Sequence, residues 1–156
     1  MNRQLEQAYE GGFRGEAHYF ALRVYIEDTD VGGVVYHANY LRFLERARSD
    51  LLRALGIDQR AAMEAGKGVY AVTEVHIRYR KPAKLEDELV IISRMEELHR
   101  ASCVIRQEIM RGQELLSTAT VAVAFVTPNG RPSRHPPEWL QKFKSLKPGT
   151  PPASAL

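Results

Sequence analysis

The chain has 156 residues, of which 44% are apolar and 26% charged, and its formal net charge is +3. That length suits a single domain, which can bury a core without a disulfide or a structural metal. The only cysteine, Cys103, excludes an internal disulfide framework and is typical of a reducing compartment. Because the basic surplus is small and contains no block of like charge, no nucleic-acid partner is expected.

The two ends of the chain differ in composition from the middle. The N-terminal residues contain no continuous apolar stretch of the kind found in a secretory signal. No window approaches the roughly 20 apolar residues of a transmembrane helix, so the expected location is cytoplasmic. Residues 1–15 are polar and predict a loose segment, and residues 147–156 are rich in Pro, Ala and Ser and predict a disordered tail. A single domain is expected over 16–146.

The first half of that domain changes from a β pattern to a helical one. Residues 17–27 are rich in β-forming side chains and predict a strand. Between 39 and 55 the apolar residues recur at steps of three and four, which predicts a long helix. Asn39 is its predicted N-cap and Gly56 its predicted C-terminal stop. A second, short helix is predicted over 58–65.

The second half consists of long β-forming segments joined by short connectors. These segments are 69–80, 88–98, 101–110 and 114–126, and a closing helical turn is predicted near 137–146. Short connectors favour antiparallel neighbours. The order predicts an α+β fold, a curved antiparallel sheet of five strands wrapped around one long helix. One face of such a sheet remains partly uncovered, so a dimer is expected.

The segment between the first strand and the helix contains the candidate chemistry. Acids stand at positions 27, 28 and 30, and they are followed by Gly32 and Gly33. Crowding and burial raise a carboxyl pKa, which suits a base or a nucleophile. Glycines let the backbone approach a ligand, and the free N–H groups of a helix start stabilise an oxyanion. The same residues also form ordinary turns and caps, so the pattern by itself leaves both readings open.

Two longer motifs resemble a known family. The run DTDVGGVVYHANYLRFLERAR (28–48) resembles the signature of the 4-hydroxybenzoyl-CoA thioesterase family of hotdog proteins, and is especially similar to the Tol-Pal-associated acyl-CoA thioesterases of bacteria. The run VHIRYRKPAKLEDEL (75–89) resembles a second motif of that family. The resemblance extends over residues 18–143. It implies a hotdog fold, a homodimer that often pairs into a homotetramer, and hydrolysis of acyl-CoA without a metal or other cofactor.

The resemblance also implies roles for individual residues. Asp30, the second acid of the DTD run, matches the catalytic carboxylate. In the family, a backbone N–H at the start of the helix polarises the thioester carbonyl. The residue at that position here is His37, with Tyr36 beside it. Asp30 either attacks the thioester carbon or activates a water, and the His37 side chain is expected to bind the substrate or position that water. Another hotdog branch carries its acid on the helix; Arg46 occupies that position here, and Glu45 is expected to be structural.

Basic side chains are expected where the phosphates of coenzyme A enter, since coenzyme A is part of the substrate. The candidates are Arg78, Arg80, Lys81, Arg131 and Arg134. Arginine binds phosphate through paired N–H groups, although each of these residues also fits an ordinary solvated surface. The histidines show no metal-ligand spacing, so no metal site is expected.

Two other functions fit the same sequence. One is a hotdog dehydratase acting on hydroxyacyl thioesters, in which His37 and Asp30 would form the pair of histidine and acid. The other is a protein that binds acyl-CoA or acyl carrier protein without turnover. The acyl group remains open, as does the choice between coenzyme A and acyl carrier protein as carrier.

Overall fold

A computed structural model describes residues 5–148, which fold around one antiparallel sheet of six strands. The strands are β1 (Gly12–Arg14), β2 (Ala17–Arg23), β3 (Val69–Tyr79), β4 (Glu88–Leu98), β5 (Ser102–Arg111) and β6 (Glu114–Val126). Across the sheet they run in the order β1-β2-β4-β5-β6-β3. The helices are α1 (Asn39–Ala54), α2 (Gln59–Glu64) and α3 (Pro137–Lys144), and a short 3₁₀ helix, Ile26–Asp28, follows β2.

Helix α1 packs its apolar stripe against the sheet. The buried side chains of this stripe include Tyr40, Phe43, Leu44, Ala47 and Leu51. Their spacing of three and four residues places them on one side of a helix, as the sequence predicts. Gly56 ends the helix with a φ of +78°, and the N–H of Ile57 donates to the carbonyl of Leu52 at 2.9 Å. This pattern is a Schellman motif, which confirms Gly56 as the stop.

The core has two parts along α1. Around its N-terminal half, side chains from β2, β4, β5 and β6 pack together with the helix. Around its C-terminal half, a second cluster includes residues of α3. The fully buried Phe143 of α3 and the buried Ile57 belong to this second cluster.

The α+β class is confirmed, but the sheet has one strand more than the five predicted. The sheet has six strands because β1 pairs with β2, with Gly12 opposite Tyr19 and Arg14 opposite Ala17. A strand of three residues is too short to show an alternating pattern, and it lies inside the segment predicted to be loose. The long helix α1 is accompanied by α2 and α3, at the positions where a short helix (58–65) and a closing helical turn (137–146) are predicted. The predicted tail, 147–156, lies outside the described residues except for 147 and 148.

Strand β3 forms one edge of the sheet and pairs only with β6 in the described part of the chain. Most of its side chains are exposed, including Val69, Val72 and Tyr79. An edge strand of eleven residues with exposed apolar side chains can pair with another strand. None of the helices described between residues 5 and 148 is long and apolar enough to cross a membrane.

Candidate active site

Asp30 lies in a tight loop between β2 and α1. The loop closes through an antiparallel bridge between Thr29 and Val35 and a hydrogen bond from the Asp30 N–H to the Val34 carbonyl, at 2.9 Å. Gly33 adopts a φ of +79°, which few side chains tolerate. Asp30 is exposed, and only its Oδ1 has a hydrogen-bond partner among the described residues, the N–H of Gly32 at 2.8 Å. The loop therefore holds the carboxylate through one oxygen and leaves Oδ2 accessible.

Asp28 differs from Asp30 in its position and in its role. It is buried, with 4% of its surface exposed. Its Oδ2 accepts the N–H of Tyr25 at 2.8 Å, and its Oδ1 accepts the Nδ2 of Asn39 at 2.7 Å. Its carbonyl accepts the N–H of Tyr36 at 2.9 Å. Asp28 therefore joins the loop to the first turn of α1, a structural role that the pattern of three crowded acids does not distinguish from a catalytic one.

The start of α1 provides free backbone donors. The N-cap is Ala38 and not Asn39, because the Asn39 side chain is bound to Asp28 and the residue itself is already helical. Within residues 5–148, the backbone N–H groups of His37 and Ala38 have no hydrogen-bond partner. The hydroxyl of Tyr79 donates to the carbonyl of His37 at 2.6 Å, which fixes this turn against the end of β3. These free donors follow the Asp30 loop directly in the chain.

The side chains of Tyr36 and His37 lie side by side on the surface. Both are exposed, and their ring centroids are 4.5 Å apart. Neither side chain forms a hydrogen bond with Asp30 in the described structure. They flank the helix start, where a bound substrate can reach them.

The pKa of Tyr40 responds to the charges around the first turn of α1. Its hydroxyl accepts the N–H of Ala83 at 3.0 Å. Burial raises the pKa of Tyr40, the hydrogen bond with Ala83 and the charge of Arg111 oppose that rise, and the carboxylates of Asp87 and Asp30 add to it. Asp30 is thus within electrostatic range of the helix start.

A cluster of ion pairs lies beside the segment that carries Ala83. Arg111 binds Asp87 at 2.7 Å and also pairs with Glu114, which in turn pairs with Lys81 at 2.7 Å. Burial raises the pKa of Asp87, but hydrogen bonds from the Lys84 N–H and the Arg111 side chain outweigh it and hold the pKa below its ordinary value. Lys81, a predicted phosphate ligand, is therefore already engaged with a carboxylate.

The other predicted phosphate ligands fall into two separate groups. Arg78 and Arg80 are exposed at the end of β3 that carries Tyr79. Arg131 and Arg134 are exposed between β6 and α3. In the β3–β6 pairing Tyr79 lies opposite Ser117, whereas Val69 lies opposite Val126, so the ends are separated by about 30 Å at about 3.3 Å per residue. One chain therefore does not bring the two groups together.

Residues 24–143 match the model of the thioesterase-like superfamily. The chain belongs to the thioesterase-like superfamily. It is 42% identical over 129 residues to the acyl-CoA thioesterase YbgC of Haemophilus influenzae, covering 82% of this chain and 95% of that protein. It is 39% identical over 125 residues to the acyl-CoA thioester hydrolase YbgC of Escherichia coli, covering 79% of this chain and 92% of that protein.

Solved structures agree with this membership. A probable thioesterase from Bartonella henselae is 38% identical, with a TM-score of 0.70 and coverage of 77% of this chain and 98% of that chain. The 4-hydroxybenzoyl-CoA thioesterase of Pseudomonas sp. strain CBS-3 is 22% identical, with a TM-score of 0.74 and coverage of 81% and 98%, and shares the fold. The predictions of a hotdog fold and of a thioester hydrolase are confirmed.

Two further features describe the site of this thioesterase-like protein. Glu45 and Arg46 are exposed on α1 and have no hydrogen-bond partner among residues 5–148. Those residues also contain no group of three or more His, Cys, Asp or Glu side chains that could hold a metal. Among the described residues near the helix start, the polar groups without a protein partner therefore include the Oδ2 of Asp30, the N–H groups of His37 and Ala38, and the side chains of Tyr36 and His37.

Proposed function

We propose that this thioesterase hydrolyses acyl-CoA thioesters, with Asp30 as the reacting carboxylate and the N–H groups of His37 and Ala38 as the oxyanion donors. The observation that carries the proposal is an exposed carboxylate, held through Oδ1 by Gly32, in a loop that Asp28 joins to the first residue of α1, next to the free N–H groups of His37 and Ala38. The names of the YbgC relatives support acyl-CoA as the substrate.

Two routes use this arrangement. In the first, the free Oδ2 of Asp30 attacks the thioester carbon, the thiolate leaves, and water hydrolyses the resulting mixed anhydride. In the second, Asp30 takes a proton from a water that attacks the same carbon. Negative charge develops on the carbonyl oxygen in both routes, and preorganised N–H groups stabilise it. In a single turnover in H₂¹⁸O, label found in the Asp30 carboxylate identifies the first route, since only attack of water on the aspartyl carbonyl of the anhydride can put it there.

The surrounding side chains have supporting roles in this proposal. His37 binds the substrate or positions the water, and Tyr36 packs beside it. Arg78 and Arg80 are exposed near the helix start and suit the phosphates of coenzyme A. Lys81 adds to the positive electrostatic potential near these two arginines while it is paired with Glu114. Arg131 and Arg134 can reach a coenzyme A bound at this site only from a second copy of the chain.

Assembly, location and carrier are part of the same proposal. We propose a homodimer, or a homotetramer built from it, and the exposed edge and apolar side chains of β3 support this. The 28–48 motif, with its His37, supports membership of the Tol-Pal-associated branch. The single cysteine supports a cytoplasmic location. Acyl carrier protein is a second possible carrier of the acyl group.

The test is a panel of acyl-CoA and acyl carrier protein thioesters of different chain lengths, with release of free thiol as the readout. The proposal expects the wild type to release thiol and Asp30→Asn to lose turnover by orders of magnitude while keeping its fold. Glu27→Gln, an exposed acid three positions earlier, is the matched control and should retain activity. Near-normal turnover in Asp30→Asn would remove Asp30 from the mechanism, and an enoyl product would indicate a dehydratase.

A further inference from the structure

The start of the Asp30 loop is attached to the turn 82–87, which lies between β3 and β4. The N–H of Val24, just after β2, donates to the Asp87 carbonyl at 2.9 Å. The Val24 carbonyl accepts the N–H of Glu86 at 3.0 Å. Because Val24 is fully buried, this pair of hydrogen bonds fixes the point at which the chain leaves the sheet to enter the loop.

The same turn holds the end of the loop. Val34 forms an antiparallel bridge with Lys84, and the N–H of Val35 donates to the Ala83 carbonyl at 2.9 Å. The N–H of Ala83 donates in turn to the hydroxyl of Tyr40, in the first turn of α1, at 3.0 Å. The turn therefore connects the start of the loop, its end and the helix start, so a change in the shape of the turn would move the loop relative to the free N–H groups.

Arg111 closes this turn across its two ends. Its Nη1 donates to the Oδ2 of Asp87 at 2.7 Å and to the carbonyl of Pro82 at 3.3 Å. The same Oδ2 accepts the N–H of Lys84 at 2.8 Å. Between these contacts Glu86 adopts a φ of +71°, which is unfavourable for a residue with a side chain, so the turn needs contacts that hold it in this shape.

Arg111 itself is anchored in the sheet. It is the last residue of β5, which pairs with β4 on one side and β6 on the other, and its Nη2 pairs with Glu114 of β6. The side chain of Arg111 is 31% exposed and that of Asp87 22%, so salt screens their ion pair less than a pair on the open surface. Within residues 5–148 Arg111 forms no hydrogen bond with Asp30 or His37, so its link to the site is the turn.

We propose that Arg111 is a positioning residue for the reaction, which holds the turn 82–87 closed and thereby fixes both ends of the loop that presents Asp30. This inference rests on the proposed role of Asp30 as the reacting carboxylate. A guanidinium suits the task because it offers several N–H donors in one rigid plane, toward a carboxylate and a carbonyl together. Since a displacement of about 1 Å can cost about 10²-fold in rate, a loosened turn should slow the reaction without removing any group that touches the substrate.

The first test is backbone hydrogen exchange of the full chain, for the wild type and Arg111→Met. The N–H of Val35, which is bonded to the turn, should exchange at least tenfold faster in the variant. The N–H of Val121, in the middle of β6, is the internal reference for global unfolding and should accelerate at least fivefold less. Unchanged exchange at Val35, or equal acceleration at both positions, would overturn the proposal.

The second test is steady-state kinetics per folded molecule, on the acyl-CoA that the wild type hydrolyses fastest. Arg111→Met should lower kcat at least tenfold and leave KM within about twofold. Arg111→Lys keeps the charge and enough donors for both acceptors, so it should recover most of the lost kcat. Arg94→Met is the matched control, since Arg94 pairs with Glu108 across β4 and β5, and should keep the wild-type kcat. An unchanged kcat in Arg111→Met, or a rise in KM alone, would overturn the proposal.

A double variant tests whether Arg111 acts through Asp87. Asp87→Ala removes the same contact from the other side, so Arg111→Met combined with Asp87→Ala should have a kcat within about twofold of the lower single variant. Losses that multiply would show that the two residues act separately. Hydrogen exchange needs no substrate, so failure at Val35 sinks this inference alone, whereas full activity of Asp30→Asn sinks the proposed function.

Discussion

The two ends of α1 are held by different kinds of contact. At the N-terminal end, hydrogen bonds from Asn39 to Asp28 and from Tyr79 to His37 set the course of the backbone. At the C-terminal end, apolar side chains such as Leu51 and Phe143 pack together. A hydrogen bond contributes about 0.5–1.5 kcal/mol but is directional, whereas burial of a large apolar side chain contributes about 1.5–3 kcal/mol without fixing direction. Substitutions at the first end should therefore change activity more than stability, and those at the second end the reverse.

The largest effect is expected from Phe143→Ala at the apolar end. Phe143 is 1% exposed, and its ring centroid lies 5.5 Å from that of His135 and 6.3 Å from that of Tyr70. Removing the ring should lower the free energy of unfolding by about 3–5 kcal/mol in urea titrations. The kcat/KM of the folded fraction should stay at the wild-type value. A parallel loss of kcat/KM would mean that the two ends are coupled.

The next largest effect, a fall in kcat, is expected from Asp28→Asn at the polar end. The change leaves either the Tyr25 N–H or the Asn39 side chain without its acceptor, so the Asp30 loop shifts. A displacement of about 1 Å can cost about 10²-fold in rate, so kcat should fall by about that factor while circular dichroism stays unchanged.

The double variant Asp28→Asn with Asn39→Asp exchanges the two partners of this hydrogen bond. It places an amide at 28, which can accept from Tyr25 and donate to position 39, and an acid at the first residue of α1, where the helix dipole favours negative charge. We expect it to recover most of the lost kcat. If Asp28→Asn behaves like the wild type, or the exchange recovers nothing, this hydrogen bond does not position the loop.

A smaller, pH-dependent effect is expected from His18 of β2, whose side chain contacts Asp50 of α1. It is fully buried, its Nε2 lies 2.8 Å from Asp50 Oδ2, and its Nδ1 has no hydrogen-bond partner in the described structure. Burial lowers the pKa of His18 despite the hydrogen bond and charge of Asp50. The unfolded chain, with an ordinary histidine pKa of about 6.5, therefore binds more protons, and stability falls as pH drops below about 6.5.

The slope of this loss should be at most about 1.4 kcal/mol per pH unit, measured as the free energy of unfolding in urea between about pH 5 and pH 8. His18→Gln keeps a donor toward Asp50 but cannot titrate, so its curve should be flatter below pH 6.5. His99→Gln is the control, because this histidine is exposed, and it should retain the wild-type slope. Identical slopes in the wild type and His18→Gln would exclude His18 as the cause.

The smallest effect is expected from Tyr79→Phe. The hydroxyl of Tyr79 donates to the His37 carbonyl at 2.6 Å, so its loss loosens the turn that carries the free N–H groups. A loss of about 0.5–1.5 kcal/mol corresponds to a fall in kcat/KM of less than about 15-fold. Tyr25→Phe, an exposed tyrosine whose hydroxyl has no partner among residues 5–148, is the control and should show no change. A thiol-release assay on both variants distinguishes these outcomes.

Local patterns in the sequence predict the regular elements well. The helical period predicts α1 to within one residue at its C-terminal end, and the four long β-forming segments predict β3 to β6 to within one residue at each end. These segments are long enough to show their period, and their short connectors restrict the topology. The loop of Asp30 is likewise recognised by its acids and glycines, which are confined to a few neighbouring positions.

Several details missed by the sequence depend on contacts between distant residues. Asn39 does not cap α1 because its amide is bound by Asp28, eleven residues earlier. Lys81 is paired with Glu114, thirty-three residues later. Arg131 lies at the far end of the β3–β6 pair from Arg78 because the strands are antiparallel, a separation that spacing along the chain does not reveal. Such pairings are fixed by the sheet register, which local periodicity leaves undetermined.

The open edge of β3 links the melting temperature of the protein to its assembly. If a second copy completes the sheet along this strand, unfolding also separates two molecules, and mass action makes the midpoint rise with protein concentration. Diluted samples would then melt at lower temperatures although no residue has changed. Thermal comparisons between variants of this protein should therefore be made at matched concentration.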